Sequence, residues 1–62
     1  MTDNDKELER AIKKLIKKAT TAQERKGASL EQLLKLAFIR AIEDTRGDLI
    51  GYLFDVVMIY EQ

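Results

Sequence analysis

Apolar residues in the first third of the chain repeat at helical spacing. Successive steps of four, three, four and three residues place them on one stripe of an α-helix. The stripe consists of Leu8, Ile12, Leu15, Ala19 and Ala22. Glycine is typical of the position just beyond a helix end, and Gly27 follows this segment. The pattern therefore predicts a helix over about 4–25.

A second helix is predicted over 29–45. Ser29 and Gln32 have the spacing of a capping box, which favours a helix start at Ser29. The main apolar stripe consists of Leu30, Leu33, Leu34, Ala37, Phe38 and Ala41. Three more large apolar residues lie off that stripe: Leu36, Ile39 and Ile42. A helix that is apolar around most of its circumference is typically buried, so we expect this one to be the central element.

The third segment, over about 48–60, is the most apolar part of the chain. Asp48 directly after Gly47 is a suitable helix cap. One helical face would carry Leu49, Leu53, Val56, Val57 and Tyr60, and a second would carry Ile50, Phe54 and Met58. The β-branched and aromatic residues near its end also permit a strand that pairs across a dimer, which we keep as the alternative.

The short connections between these segments favour antiparallel neighbours. We therefore predict an all-α fold, a helical hairpin plus a C-terminal third helix. This small three-helix unit would occupy 1–62 as a single domain. Domains of about 60 residues bury only about 60% of their unfolded surface, so we expect oligomerisation to complete the core.

Composition argues against catalysis. The chain has 62 residues and contains no His, Cys, Trp or Pro. It therefore lacks a thiol nucleophile, a disulfide, a thiolate zinc site and the commonest acid–base group near neutral pH. No nucleophile-elbow or phosphate-loop motif is present. We expect no enzymatic activity, no catalytic residues, no cofactor and no metal site.

Apolar residues outside the main stripes are the most specific signal for function. The first helix offers one stripe, partly of alanine, which is too little to cover the second faces of the other two helices. Uncovered apolar surface marks protein interfaces. The predicted interface consists of Leu36, Ile39, Ile42, Ile50, Phe54 and Met58. We expect a homo-oligomer, a dimer first, together with a larger protein partner.

The charge of the chain is polarised although its net value is zero. Residues 1–26 hold eight basic and five acidic side chains, whereas 27–62 hold three basic and six acidic ones. Between positions 10 and 18 of the first helix, every charged residue is basic: Arg10, Lys13, Lys14, Lys17 and Lys18. Such a face suits nucleic acid or another anion, although the pI of 6.2 makes nucleic acid the less favoured partner.

The leading hypothesis is a non-enzymatic protein–protein interaction module that self-associates and regulates, adapts or inhibits a larger partner. The alternative is a small nucleic-acid- or anion-binding protein that uses the basic face. The charged N-terminal region differs from a secretory signal. The apolar stretch 49–60 contains Asp55 and is too short to span a bilayer. These features predict a soluble, cytoplasmic protein without a membrane partner.

Overall fold

Four α-helices account for the regular structure of residues 3–62, the part that the computed structural model describes. Helix α1 spans Asp3–Ala19, α2 spans Ala22–Lys26, α3 spans Leu30–Glu43 and α4 spans Ile50–Tyr60. The described residues include no strand. The predicted small all-α fold is confirmed. The alternative of a C-terminal strand is wrong, because that segment forms α4.

The helix predicted over 4–25 is divided into two by a pair of threonines. The buried Thr20 hydroxyl donates to the carbonyl of Ile16 at 2.6 Å, so it bonds back into the last turn of α1. Thr21 then starts α2. Its Oγ1 accepts from the Glu24 amide at 3.2 Å, and the Thr21 amide donates to Glu24 Oε1 at 2.8 Å. This capping box starts a separate helix, which gives four helices instead of three.

Helix α3 begins as predicted and ends earlier. Ser29 is its N-cap, and the reciprocal hydrogen bonds of a capping box join Ser29 and Gln32 at 3.1 and 3.2 Å. The helix stops at Glu43 rather than near 45, because Asp44 adopts an extended backbone as the C-cap.

The turn into α4 is organised by Asp44 and not by the predicted cap, Asp48. The Asp44 carboxylate accepts from the Arg46 amide at 3.2 Å and from the Leu49 amide at 3.0 Å. Leu49 is the N-cap, so α4 begins at Ile50. Gly47 has a φ of 78°, a left-handed conformation that favours glycine at this turn.

The central element is α1, and the prediction that the second helix would be central is wrong. Helix α1 packs against both α3 and α4, while α3 and α4 touch each other less. Leu15 of α1 is fully buried. The other buried apolar residues are Ile16, Ala19, Leu33, Ala37, Ala41 and Val56. Cα positions extend over 31 × 27 × 14 Å, so the molecule is a thin slab with few positions enclosed on all sides.

A polar cluster joins the end of α1 to α2 and α3. Arg40 of α3 forms a two-pronged ion pair with Glu24 of α2, at 2.8 and 2.6 Å, and also donates to the Ala19 carbonyl at 2.7 Å. Arg25 donates to the Thr20 carbonyl at 2.7 Å. The Arg40 hydrogen bonds, followed by the bond from the Thr21 amide, lower the pKa of Glu24 from 4.5 to about 2.

This lowered pKa predicts how stability depends on pH. A carboxyl group with a depressed pKa stabilises the fold above its ordinary pKa, and that stability is lost as the pH falls towards the folded-state value. Between pH 4.5 and about 2, the Glu24→Gln variant should therefore lose less of its free energy of unfolding than the wild type. Glutamine keeps one oxygen that can accept from the Thr21 amide, while its NH2 group replaces the second oxygen that accepts from Arg40, so the variant removes the two-pronged pair together with the titrating charge.

Chemical denaturation at several pH values across that window measures the effect. The matched control is Glu31→Gln, whose carboxylate pairs with Lys35 at 3.5 Å on an exposed surface. This control should follow the wild-type dependence on pH. Equal slopes for wild type and Glu24→Gln would contradict the role given to the Glu24–Arg40 pair.

Candidate functional site

Several large apolar side chains are exposed on α3 and α4. Of the six predicted interface residues, Ile39, Ile42, Phe54 and Met58 are exposed, and Leu36 and Ile50 are half-buried. Phe54 is 59% exposed and Met58 is 65% exposed. Three large apolar residues outside the predicted set are also exposed: Leu30, Val57 and Tyr60. The predicted set therefore consists mainly of side chains that the fold leaves in solvent.

An apolar groove opens where α1, α3 and α4 meet. Its volume is about 400 Å³. Every lining residue is aliphatic or aromatic: Leu8, Ile12, Leu34, Phe38, Val56, Val57 and Tyr60. The groove exists because α3 and α4 both pack on α1 but have limited contact with each other. We call this feature the apolar groove.

The apolar groove continues onto the predicted interface along two helices. On α3, Ile42 follows Leu34 and Phe38 at four-residue spacing, so it extends the same line. On α4, Phe54 precedes Val57 by three residues and lies beside it. Leu36, by contrast, lies about 120° around α3 from Ile42 and belongs to the other side of that helix. The six predicted residues are thus not one continuous patch.

The sequence pattern does not identify the groove residues as part of the molecular surface. Leu8, Ile12, Leu34 and Phe38 lie on the main apolar stripes of the first two predicted helices, and helical periodicity alone places such residues on the buried side. They are only partly buried. The signal that could have found them is the number of alanines in the same stripes. Ala37 and Ala41 bring little volume to the core, so neighbouring large side chains have less to pack against.

The predicted basic residues all lie on the exposed side of α1, but they have different surroundings. Lys13 pairs with Glu9 at 3.0 Å. The Lys14 ammonium lies 5.8 Å from the centre of the Tyr52 ring, a cation–π distance. Arg10 and Lys17 are exposed as well. The candidate anion-binding face is therefore partly neutralised along one edge.

Lys18, the last of the five basic residues, borders a separate polar cleft of about 450 Å³. The cleft is lined by Lys18, Arg40, Glu43, Asp44, Arg46, Asp48 and Leu49. Three basic and three acidic side chains balance one another there. The Leu49 amide, which donates to the Asp44 carboxylate, is the main cause of the lowered pKa of Asp44. That carboxylate is engaged in holding the turn.

The described residues offer no cluster of three or more metal-ligating side chains. None of the described helices has the length and apolar character needed to cross a membrane. Comparisons with protein-family models, with curated proteins and with solved structures find no match to this chain.

Proposed function

We propose that the chain is a non-enzymatic protein–protein interaction module. It self-associates, as a dimer first, and acts in the cytoplasm as a small regulator, adaptor or inhibitor of a larger protein. The observation that carries this proposal is the apolar groove, together with the exposed side chains of Ile42 and Phe54, which neighbour its lining residues, and of Met58 elsewhere on α4. A chain of 62 residues with this much apolar surface gains free energy by covering it.

The free energy gained by covering these apolar side chains is large enough to support binding to another protein. Complete burial of a large apolar side chain contributes roughly 1.5–3 kcal/mol. Phe54 and Met58 are both more than half exposed, so an interface that covers them would have two anchors. Tyr60 is 76% exposed and combines an apolar ring with a hydroxyl, which suits the rim of an interface.

The composition supports a function by binding rather than by catalysis. The chain has no His or Cys, and the two carboxyl groups with shifted pKa values, Glu24 and Asp44, both shift downward. Each of these carboxylates accepts hydrogen bonds that hold helix ends together. We accordingly propose no cofactor, no metal and no catalytic residue.

Sedimentation equilibrium at micromolar concentration tests self-association. The wild-type mass should exceed the monomer mass of 7.1 kDa. Phe54→Gln and Met58→Gln should each weaken the oligomer by about tenfold, equivalent to 1.4 kcal/mol, because each removes an apolar anchor.

The matched control is Leu30→Gln. Leu30 is 60% exposed, as Phe54 and Met58 are, but lies outside the predicted interface. It should leave the oligomer unchanged. A wild-type chain that sediments as a folded monomer would refute the self-association proposal, and an equal effect of all three substitutions would refute the assigned interface. The larger partner is tested by native mass measurement of the complexes that wild type and Phe54→Gln each capture. Only the wild type should retain the partner.

A second candidate function is anion or nucleic-acid binding through the basic face of α1. The observation that favours it is the exposure of Arg10, Lys13, Lys14, Lys17 and Lys18 along one side of a single helix. Lysine and arginine side chains on one face attract phosphate groups through charge, and this attraction weakens with salt.

A titration with a short nucleic-acid duplex at low and high salt tests this second function. Binding should be measurable at low salt and fall steeply as salt increases. Combined Lys14→Glu and Lys17→Glu substitutions should abolish it. Lys26→Glu and Lys35→Glu together make the same change in net charge outside α1 and should preserve most of the affinity. Absence of binding at low salt would remove this candidate.

A further inference from the structure

Two further cavities adjoin the apolar groove, and both contain charged residues. The larger, of about 380 Å³, is lined in part by Asp5 and Tyr60. The smaller, of about 210 Å³, is lined in part by Asp5, Glu9 and Lys13. Leu8 lines both cavities and the groove itself, so the three spaces meet around this residue. The apolar groove therefore has a polar end at Leu8.

Helical spacing identifies the charged residues that border the apolar groove. Side chains three or four residues from a groove residue on the same helix lie beside it. The charged residues at this spacing are Asp5, Glu9, Glu31, Lys35 and Glu61. Lys13 joins them because it lines the smaller cavity. Within the described chain, four acidic and two basic side chains therefore border the groove.

Ion pairing leaves this border with unbalanced negative charge. Lys13 pairs with Glu9 at 3.0 Å, and Lys35 pairs with Glu31 at 3.5 Å. No salt bridge joins the two remaining carboxylates to a basic side chain of residues 3–62. Lys6 lies about 160° around α1 from the groove residue two positions later, and so on the opposite side of the helix. A partner that complements this border carries positive charge.

Tyr60 is a second feature that favours a cation at the polar end. This residue lines both the groove and the larger cavity, in which Asp5 also lies. Tyr60 is 76% exposed, so its aromatic ring is accessible. An ammonium or guanidinium group at this end would find both a carboxylate and an aromatic ring, and each of these attracts cations.

The rest of the groove suits large apolar side chains. Leu8 and Ile12 lie one turn apart on α1, about 6 Å along its axis, and the groove residues of α3 have the same spacing. This length matches two apolar anchors one turn apart on a partner helix. A helix with such anchors and a basic residue beyond them complements both the groove and its border. The α4 of a second copy does not, since its one charged residue is Asp55.

We propose that the apolar groove binds an amphipathic helix of a larger protein, with apolar side chains in the groove and a lysine or arginine at the end where Asp5 and Tyr60 lie. Docking of an amphipathic helix into an apolar groove is a recurring mode of recognition. This inference rests on the interaction module proposed above and specifies the chemistry of its larger partner. Phe54 and Met58 do not line the groove, so they stay available for self-association.

Two helical peptides with the same pattern of leucines test the charge preference. One peptide carries lysine at every polar position, and the other carries glutamate. Titration of the full chain into each labelled peptide, followed by fluorescence anisotropy, should show binding of the lysine peptide. The glutamate peptide should bind at least about tenfold more weakly, because the border of the groove repels it.

Charge reversal on the border tests where the lysine peptide binds. Asp5→Lys combined with Glu61→Lys should weaken its binding about tenfold, because the two unbalanced carboxylates become cations. The matched control combines Glu43→Lys with Asp55→Lys. It makes the same change in net charge outside the border and should bind the lysine peptide as the wild type does.

A substitution within the groove tests the apolar contact. Val57 lines the groove and is 40% exposed, so Val57→Gln should keep the fold, which circular dichroism checks. It should weaken binding of the lysine peptide about tenfold. Ile39 is 51% exposed and lies outside the groove, so the control Ile39→Gln should leave binding unchanged.

The outcomes separate this inference from self-association. Failure of the lysine peptide to bind, equal binding of both peptides, or equal effects of the variants and their controls would overturn the helix-in-groove inference and leave self-association standing. If excess lysine peptide dissociates the wild-type oligomer, a second copy occupies the groove and the inference is wrong. If the wild type binds the lysine peptide through the groove but sediments as a monomer, self-association fails and the inference stands.

Discussion

The small size of the side chains that α3 packs against α1 is the constraint on which the rest of the structure depends. Helix α3 contributes Ala37 and Ala41 to the core together with Leu33, so it can lie close to α1 with few large side chains between them. Bulkier residues of α3 such as Phe38 and Ile42 are turned to its sides or to solvent. The exposed apolar surface of α3 is a consequence of this packing.

The polar cluster around Arg40 compensates for a core of limited size. A five-residue helix such as α2 is too short to be stable on its own. Glu24 holds it to Arg40, while Arg40 also satisfies the Ala19 carbonyl at the end of α1. One side chain thus fixes the relative positions of three helices. Charge-assisted hydrogen bonds of this kind are stronger than neutral ones, and here they act where apolar burial is scarce.

Periodicity was sufficient to predict that the segments are helices, and the capping box at Ser29 located one helix start correctly. It could not show which helix is central, because the spacing of apolar residues reports a buried side but not the neighbour that covers it. The division of the first helix depends on the Thr20 hydroxyl finding a carbonyl. Sequence alone favours Asp48 as the cap of the last helix, whereas in the structure Asp44 accepts from the Leu49 amide. Tertiary packing decides where the first helix divides and which carboxylate caps the last one.

The candidate interaction surface could be predicted only in part for the same reason. Exposure of Phe54 and Met58 follows from an excess of apolar residues that short helices cannot cover. The groove is different, because it depends on α3 and α4 standing apart on α1. The basic residues lie on the side of α1 opposite its apolar stripe, but Lys14 reaches the Tyr52 ring, so the basic face extends to the edge of α4.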